Sequence, residues 1–406
     1  MKESPHIVAS AAAMVLSLAA ASMAIVYANL FEQKYVHSVA ALYHVEIIKG
    51  SAIQRMALNQ DDLLLVIGGS EIELLETEYQ AYHFFDTYPT GFNVFDVANK
   101  GASALTMAQK LAALGGDLRG RKVVVSITPA IVTMAPWGEV NTDHYNSNFS
   151  QLQAMELAFS PYVSMETKQL AAKRMLVFAD SLRDKPLLKF TLEKLASESV
   201  IDHALYYLAV PLGNLQLAVI RMQDHYETWD FIRHRSAEEL KVTRKRRQVD
   251  WSALAAEAEI EQIKHTDSNP YAVDNLKWKQ LEEMFARPVA PGSKDSEFLD
   301  DLELAKEWED LDLVLRVLRD MGAEPLILSR PMNVPLWERI GVSEQAQNAY
   351  YTKLHSVIDP YGIPLMDFKE HDNDPYFNMD LASHTSRKGW VYVDQALDEF
   401  FHSDSH

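Results

Sequence analysis

The fold class of this chain is indicated most clearly by residues 62–73, which read Asp62-Leu63-Leu64-Leu65-Val66-Ile67-Gly68-Gly69-Ser70-Glu71-Ile72-Glu73. Its apolar run has no polar alternation, which is typical of a strand buried on both faces of a parallel sheet. The two glycines predict a tight turn with positive φ, and a helix is expected to begin at about Ser70. A strand that turns directly into a helix indicates an α/β fold.

Short runs of the same kind recur after this stretch, with helical patterns between them. Strands alternating with helices predict a parallel sheet covered on both faces, which is a three-layer α/β/α domain. Between about residues 134 and 300 the alternation stops and the periodicity is helical, so we expect a large helical insertion. The further strands are predicted at residues 92–95, 122–127, 325–329 and 363–367.

The N-terminus predicts a membrane anchor. Residues 7–31 contain no charged side chain, and about 20 apolar residues are enough to cross a bilayer as a helix. Lys2 precedes the run, which favours a cytoplasmic N-terminus. We therefore expect a single-pass protein of the cell membrane, with an anchor at 1–31 and an extracytoplasmic domain at 32–406. The alternative is a signal peptide cleaved near Val26-Tyr27-Ala28.

A second apolar segment lies at residues 204–220, where Pro211 and Gly213 interrupt it. Its 17 residues are at the lower limit for crossing a bilayer. It is interpreted as a buried or partner-facing helix, with a second crossing as the alternative. The basic run at 244–247 is either a solvated helix face or a surface for anionic lipid or polymer.

Composition limits the partners and the chemistry. The chain has 406 residues, 48% of them hydrophobic, and a net charge of −19, which argues against a nucleic-acid partner. It has no cysteine, so disulfides and thiolate chemistry are excluded. No metal-ligand spacing and no glycine-rich nucleotide loop occurs, so neither a metal nor an organic cofactor is expected. The nearest approach to a ligand cluster, at residues 371–374, is interpreted as a polar turn.

Ser70 is a candidate nucleophile because of its place at the start of a helix. Free backbone N–H groups there, with the helix dipole, can stabilise an oxyanion during acyl transfer. The sequence is not the G-x-S-x-G elbow of α/β-hydrolases, because residue 72 is Ile. A structural interpretation also stands: Ser70 is a favoured helix cap, and Glu73 completes a capping-box pattern.

His384 and Asp380 lie on a segment before the last predicted helix, where a serine nucleophile would find its base and the carboxylate that orients it. The chain order Ser, Asp, His agrees with that arrangement. The alternative for His384 is a loop histidine bonded to local backbone. Asp372 and Asp374 are further candidates for the carboxylate, and a serine–histidine pair without one is also possible.

These residues resemble the DltD family, the D-alanyl-lipoteichoic acid biosynthesis proteins, which belong among the SGNH-type hydrolase folds. The likeness rests on Gly68-Gly69-Ser70-Glu71 after a strand, on Asp380 with His384, and on the ending His384-x-x-x-x-Gly-Trp-Val-Tyr-Val-Asp. It covers most of the chain. It implies Ser70 as nucleophile, His384 as general base and later acid, and Asp380 as the group that holds the imidazole.

The resemblance also implies that Gly69 and Gly101 contribute to oxyanion or substrate binding; for Gly101 a plain turn glycine is the alternative. Three departures from the family pattern occur. The family's usual Gly-Ser-Ser-Glu is Gly68-Gly69-Ser70-Glu71 here, which keeps the serine. Three residues separate Asp380 from His384, where the family usually has two. The family's Ser-Pro-Gln-Trp-type motif is Thr128-Pro129-Ala130-Ile131 here, without the glutamine.

The implied function is transfer of D-alanyl groups to teichoic acid or a similar anionic envelope polymer. The implied partners are a membrane O-acyltransferase of the same pathway (DltB-like), an acyl donor and membrane lipid. Two alternatives stay open. The same site would suit an SGNH-type esterase, thioesterase or polysaccharide O-acetyltransferase, and a non-catalytic membrane scaffold would use Ser70 only as a helix cap.

Overall fold

The computed structural model describes residues 5–42, 47–73, 77–133, 142–240, 248–287 and 289–404. Its core is one sheet of five parallel strands in the order β2-β1-β3-β4-β5. The parallel α/β fold predicted from the sequence is confirmed. The strands are β1 Leu63–Gly68, β2 Asn93–Ala98, β3 Lys122–Ile127, β4 Glu324–Ser329 and β5 Leu365–Met366.

Helices make up most of the remaining described chain, with 3-10 turns at Gly115–Leu118, Ala179–Leu182, Asp359–Tyr361 and Lys369–His371. The α-helices are α1 Pro5–Ala40, α2 Ala52–Leu58, α3 Ser70–Glu73, α4 Ala81–Thr87, α5 Ala104–Ala113, α6 Ala130–Thr133, α7 Thr142–Asn148, α8 Gln151–Phe159, α9 Met165–Leu176, α10 Pro186–Ala196, α11 Val200–Arg233, α12 Trp251–Lys264, α13 Asn275–Phe285, α14 Asp295–Leu304, α15 Glu307–Met321, α16 Val334–Arg339, α17 Glu344–Ile358 and α18 Arg387–His402.

Strand β1 shows why the sequence run is apolar throughout. Leu63, Leu65 and Ile67 belong to one buried cluster, which α5 and α15 cover. Leu64 and Val66 point to the opposite face, into a cluster with side chains of α4, α12 and α18. Because successive side chains of a strand alternate between faces, a sheet with helices on both sides needs an apolar residue at every position.

Between β3 and β4 the described chain is helical, from α6 to α15. The predicted insertion starts at residue 134, which lies outside the described residues, as does the basic run at 244–247. The extent of the insertion as a separate unit therefore stays a prediction.

Among the described residues, two helices, α1 and α11, are long and apolar enough to cross a membrane. The C-terminal end of α1 packs into the core through Val36, Val39 and Ala40, whereas apolar side chains from Met14 to Leu30 are exposed. Helix α11 contains the apolar segment 204–220 and packs against α8 and α10. It lies on the surface of the domain, with one face buried and the other exposed.

All five strands end at the same edge of the sheet because they are parallel. Ser70, Gly101, Thr128, Arg330 and Asp367 each follow the carboxyl end of a different strand. Ligands of open α/β sheets bind outside this edge. The fold thus brings together residues that are far apart in the sequence.

Candidate active site

Ser70 is the first residue of α3 and directly follows β1 and Gly69. Its Oγ lies 3.0 Å from Nε2 of His384. The predicted positive φ is wrong, since neither Gly68 nor Gly69 adopts the left-handed backbone. Space favours glycine at position 68 instead, because a Cβ there would overlap the side-chain ends of Ile72 and Glu71, which would have to shift.

Asp380 holds the other side of the His384 ring. Its Oδ2 lies 2.6 Å from Nδ1, and its Oδ1 accepts from the His384 backbone N–H at 3.3 Å. An ionised carboxylate can only accept, so Nδ1 carries the proton and Nε2 presents its lone pair to the Ser70 hydroxyl. This is the hydrogen-bond order of a serine–histidine–aspartate triad.

The extra residue between Asp380 and His384 is absorbed by one unusual backbone conformation. Ser383 is left-handed, with φ of 60°, and its hydroxyl donates to the carbonyl of Pro331 at 3.0 Å. The segment closes as a small antiparallel bridge between Asn378 and Thr385. The chain therefore doubles back within four residues and brings the Asp380 carboxylate under the imidazole.

The two other candidate carboxylates are engaged elsewhere. Asp372 accepts a hydrogen bond from the Tyr351 hydroxyl. Asp374 lies 2.6 Å from Nζ of Lys388 and pairs with His371 within the predicted polar turn. Of the three candidates, the structure places Asp380 against His384.

The electrostatics of the site keep Asp380 ionised. Burial by itself would raise the pKa of this carboxyl group, but His384, through its charge and its hydrogen bonds, and the charge of Lys277 outweigh burial and lower it. A carboxylate that stays charged at neutral pH stabilises the imidazolium that forms when His384 accepts a proton.

The two predicted oxyanion glycines differ in their surroundings. The backbone N–H of Gly69 donates to Oε1 of Glu71 at 2.9 Å, so this donor is occupied. Gly101 is left-handed, with φ of 68°, and a Cβ there would come within 2.9 Å of the His144 ring. The loop after β2 approaches β1 closely, since Ala102 O is 3.6 Å from a Cβ built on Gly69. Their oxyanion roles stay predictions.

Arg330 is the residue of this region that the sequence analysis missed. It is buried at the end of β4, and its Nε donates to Oγ1 of Thr385 at 2.6 Å. The Thr385 hydroxyl in turn donates to the carbonyl of Glu71 at 3.3 Å. This chain of hydrogen bonds connects the segment that carries His384 with the helix that carries Ser70. Its position in the sequence could have indicated it, because Arg330 follows the predicted strand β4 as Ser70 follows β1.

Two buried carboxyl groups accompany Arg330. Burial lowers the pKa of Arg330 to about 10, although Glu71, Asp394 and Asp96 oppose the shift. Burial raises the pKa of Asp96 to about 8, although the charge of Arg330 opposes the shift. Burial and the charge of Asp96 raise the pKa of Asp394 well above its ordinary value. Protonated carboxyl groups beside a charged guanidinium suit this enclosed region.

The sequence analysis also considered Thr128, Glu73 and a metal site. Thr128 lies at the carboxyl edge after β3, and no polar contact ties it to Ser70 within the described residues. The side chain of Glu73, the second member of the predicted capping box, is outside what the structure describes. In the described ranges there is no group of three or more side chains arranged to hold a metal ion.

Fold and site together define an α/β protein with a Ser70–His384–Asp380 arrangement at the carboxyl edge of a parallel sheet. Residues 41–402 match the model of the family described as DltD protein, so the chain belongs to the DltD family. It is 27% identical to Protein DltD of Bacillus subtilis (strain 168) over 369 residues, which are 91% of this chain and 90% of the relative. It is 23% identical to Protein DltD of Staphylococcus aureus (strain NCTC 8325 / PS 47) over 395 residues, 97% of this chain and 94% of that relative.

Proposed function

We propose that this protein is a membrane-anchored serine acyltransferase of SGNH type that transfers D-alanyl groups to teichoic acid or a similar envelope polymer through Ser70. The observation that carries the proposal is the hydrogen-bonded series from Ser70 Oγ to His384 Nε2 and from His384 Nδ1 to Asp380. Membership of the DltD family supports D-alanylation of teichoic acid as the process.

The first half of the reaction acylates the serine. His384 Nε2 takes the hydroxyl proton while Ser70 Oγ attacks the carbonyl carbon of an activated D-alanyl donor. When the tetrahedral intermediate collapses, the bond to the leaving group breaks and His384 gives the leaving group its proton. The product is a D-alanyl ester on Ser70, and Asp380 stabilises the transient imidazolium.

The second half reverses these proton movements. A hydroxyl of the acceptor polymer loses its proton to His384 and attacks the ester carbonyl. Collapse breaks the bond to Ser70, whose Oγ recovers the proton from His384. The D-alanyl group leaves as an ester of the polymer, so the enzyme returns to its starting state without a cofactor.

Helix α1 supports a location at the membrane. Its exposed apolar side chains suit a bilayer, with the N-terminus in the cytoplasm and the domain outside. There the domain would meet a membrane O-acyltransferase of the pathway (DltB-like), which supplies the acyl donor, and the envelope polymer that accepts it.

The test is Ser70→Ala in cells that lack the wild-type gene, with the D-alanine ester content of the envelope as the measurement. The matched control is Ser343→Ala, because Ser343 is also half-buried and caps α17 by accepting from the Ala346 N–H. We expect Ser70→Ala to abolish D-alanylation and Ser343→Ala to retain it. Unchanged D-alanine with Ser70→Ala would mean that the serine has only a structural role.

A purified-protein assay separates acyl transfer from simple hydrolysis by the same site. Steady turnover of small esters or thioesters by the isolated protein, without a membrane partner, would favour the hypothesis of an esterase or thioesterase. Acylation of Ser70 without rapid release, detected as a mass increase, would favour transfer, because the ester then waits for its acceptor.

A further inference from the structure

The outer face of helix α11 is apolar and exposed. Its side chains recur every three or four residues, or every seven, which places them on one stripe of the helix. Each is between 54% and 76% exposed. These residues, which we call the α11 stripe, are Ile201, Leu208, Leu212, Leu215, Val219 and Tyr226.

The opposite face of α11 is fixed against the domain, so the stripe cannot turn inward. The Tyr206 hydroxyl donates to Ala158 O at 2.8 Å, and Leu217 is buried. Gly213 meets the ring of Phe159 so closely that any side chain would overlap it. A surface helix normally turns a polar face outward, whereas residues 204–220 of α11 contain no charged side chain. A continuous exposed apolar face of this kind marks an interaction surface.

The α11 stripe runs up to the place where α1 leaves the domain. His225 Nδ1 lies 2.8 Å from Oε1 of Glu32, and Asn29 of α1 lines a cavity together with Arg221 of α11. Within two turns of Glu32 on α1, Tyr27 and Leu30 are exposed. The exposed apolar surface of the anchor therefore begins beside the end of the stripe.

We propose that the α11 stripe rests on the surface of the same bilayer that α1 crosses, with α11 lying in the plane of the interface. The inference depends on the membrane anchoring proposed above. A lipid surface fits because the stripe is uncharged and about 38 Å long, from the helical rise of about 1.5 Å per residue. Tyr226 at its end has the ring and hydroxyl typical of an interfacial residue. The contact would fix the height and orientation of the Ser70 site above membrane-bound substrates.

The test uses the full chain in vesicles of phosphatidylglycerol and phosphatidylethanolamine. The protein has no cysteine, so single cysteines can be labelled with a fluorescent dye at Leu208 and Leu215. Lipids with a quencher near the headgroup then report contact. Matched controls are Leu276 on α13 and Leu304 on α14, which are 67% and 72% exposed. A dye at Leu16 in α1, read with lipids that carry the quencher on the acyl chain, reports insertion of the anchor.

We expect dyes at positions 208 and 215 to lose fluorescence by about twofold or more with quencher lipid, as interfacial burial requires, and the controls to be unaffected. Quenching at Leu16 without quenching at Leu208 and Leu215 would overturn the inference while anchoring stands. An unquenched Leu16 would overturn the anchoring itself. Dyes on the stripe shielded from a soluble quencher, yet unquenched by lipid, would instead show that a second copy or another protein covers it.

Discussion

Two histidine–carboxylate pairs lie at the carboxyl edge of the same sheet and differ in what faces the second ring nitrogen. His384 is 2.6 Å from Asp380, and its other nitrogen meets the hydroxyl of Ser70. His355 is 3.1 Å from Asp367, and its other nitrogen meets a second carboxylate, Asp359, at 3.2 Å. We call the first the catalytic pair, after the role proposed for it, and the second the surface pair.

Because both histidines contact an aspartate and only one faces a serine hydroxyl, a histidine beside an aspartate does not by itself define an active site. The His384 side chain is 14% exposed and the His355 side chain 45%, so only the former is largely withdrawn from water. Strands β1 and β5 are three strand spacings apart, or about 14 Å, which separates the surface pair from the serine. A serine hydroxyl on the far nitrogen and enclosure from water together distinguish the catalytic pair.

The largest expected effect comes from removing each histidine in turn. His384→Ala should lower the rate of acyl transfer by about 10³-fold or more, because Ser70 loses its base. His355→Ala should leave the rate within about twofold, since that ring touches no part of the site. The measurement is the initial rate of D-alanine incorporation into envelopes, with protein levels checked by immunoblot. Equal losses in the two variants would erase the distinction between the pairs.

The next largest effect is on stability, when a methyl group is added at the first glycine that follows each histidine in the sequence. In Gly389→Ala a Cβ would overlap the backbone carbonyl of Phe377, beside the segment that carries His384, and should reduce the free energy of unfolding by about 3 kcal/mol. Gly362, after the helix of His355, has φ of 65° and open space around it. Gly362→Ala should therefore cost about 1 kcal/mol of backbone strain alone. Urea unfolding of both variants measures the difference, and a reversed order would contradict the packing argument.

A third contrast tests the bracing of the catalytic pair by Arg330. Thr385→Val removes the hydroxyl that links Arg330 to the Glu71 carbonyl, so a buried guanidinium N–H loses its acceptor. We expect about 2 kcal/mol less stability. The rate of acyl transfer should also fall, as His384 is held less firmly.

The control for this contrast is Thr352→Val on α17. The Thr352 hydroxyl is exposed to solvent and donates a hydrogen bond to the carbonyl of Asn348. Its effect should stay below about 0.5 kcal/mol, as for surface substitutions in general. If Thr385→Val lowers stability and leaves the rate unchanged, Arg330 braces the fold without positioning the site.

The sequence predicted those parts of the molecule that depend on local patterns. Strand β1 was found within one residue because a doubly buried strand has to be apolar throughout. The second strand extends to Ala98, beyond the predicted run, since Asp96 interrupts the apolar pattern within it. The fifth strand is shorter than the predicted 363–367 and covers only Leu365–Met366, which pairs with β4.

At the site, sequence patterns and the family likeness nominated Ser70, His384 and Asp380, which the structure brings together. Their convergence could not be predicted from spacing, because the segment between Asp380 and His384 contains a left-handed residue, Ser383, that no local pattern indicates. Arg330 escaped notice for a different reason. Its carboxyl neighbours Glu71, Asp96 and Asp394 come from α3, β2 and α18, which are far apart in the sequence. Such clusters become visible only once the fold has assembled them.

The smallest contrast is the dependence of stability on pH, which should have opposite signs in the two pairs. The pKa of Asp380 is lowered in the folded protein, so its contribution is present above the unfolded value of about 3.9 and is lost as the pH falls through the folded value. Burial opposes a raised pKa at His355, but its hydrogen bonds to Asp367 and Asp359 prevail. Its contribution is therefore present below about pH 6.5 and is lost as the pH rises through the folded value.

Urea unfolding of His355→Gln and Asp380→Asn against the unaltered protein, over a range of pH, measures both contributions. His355→Gln should be less stable by about 0.5 kcal/mol at pH 5.5, the size usual for exposed pairs, and the difference should vanish in alkaline buffer. The deficit of Asp380→Asn should persist at neutral pH and shrink only in acid. A His355→Gln deficit that grows with pH would mean that this ring is held neutral, and the surface pair would then resemble the catalytic pair more closely than its exposure indicates.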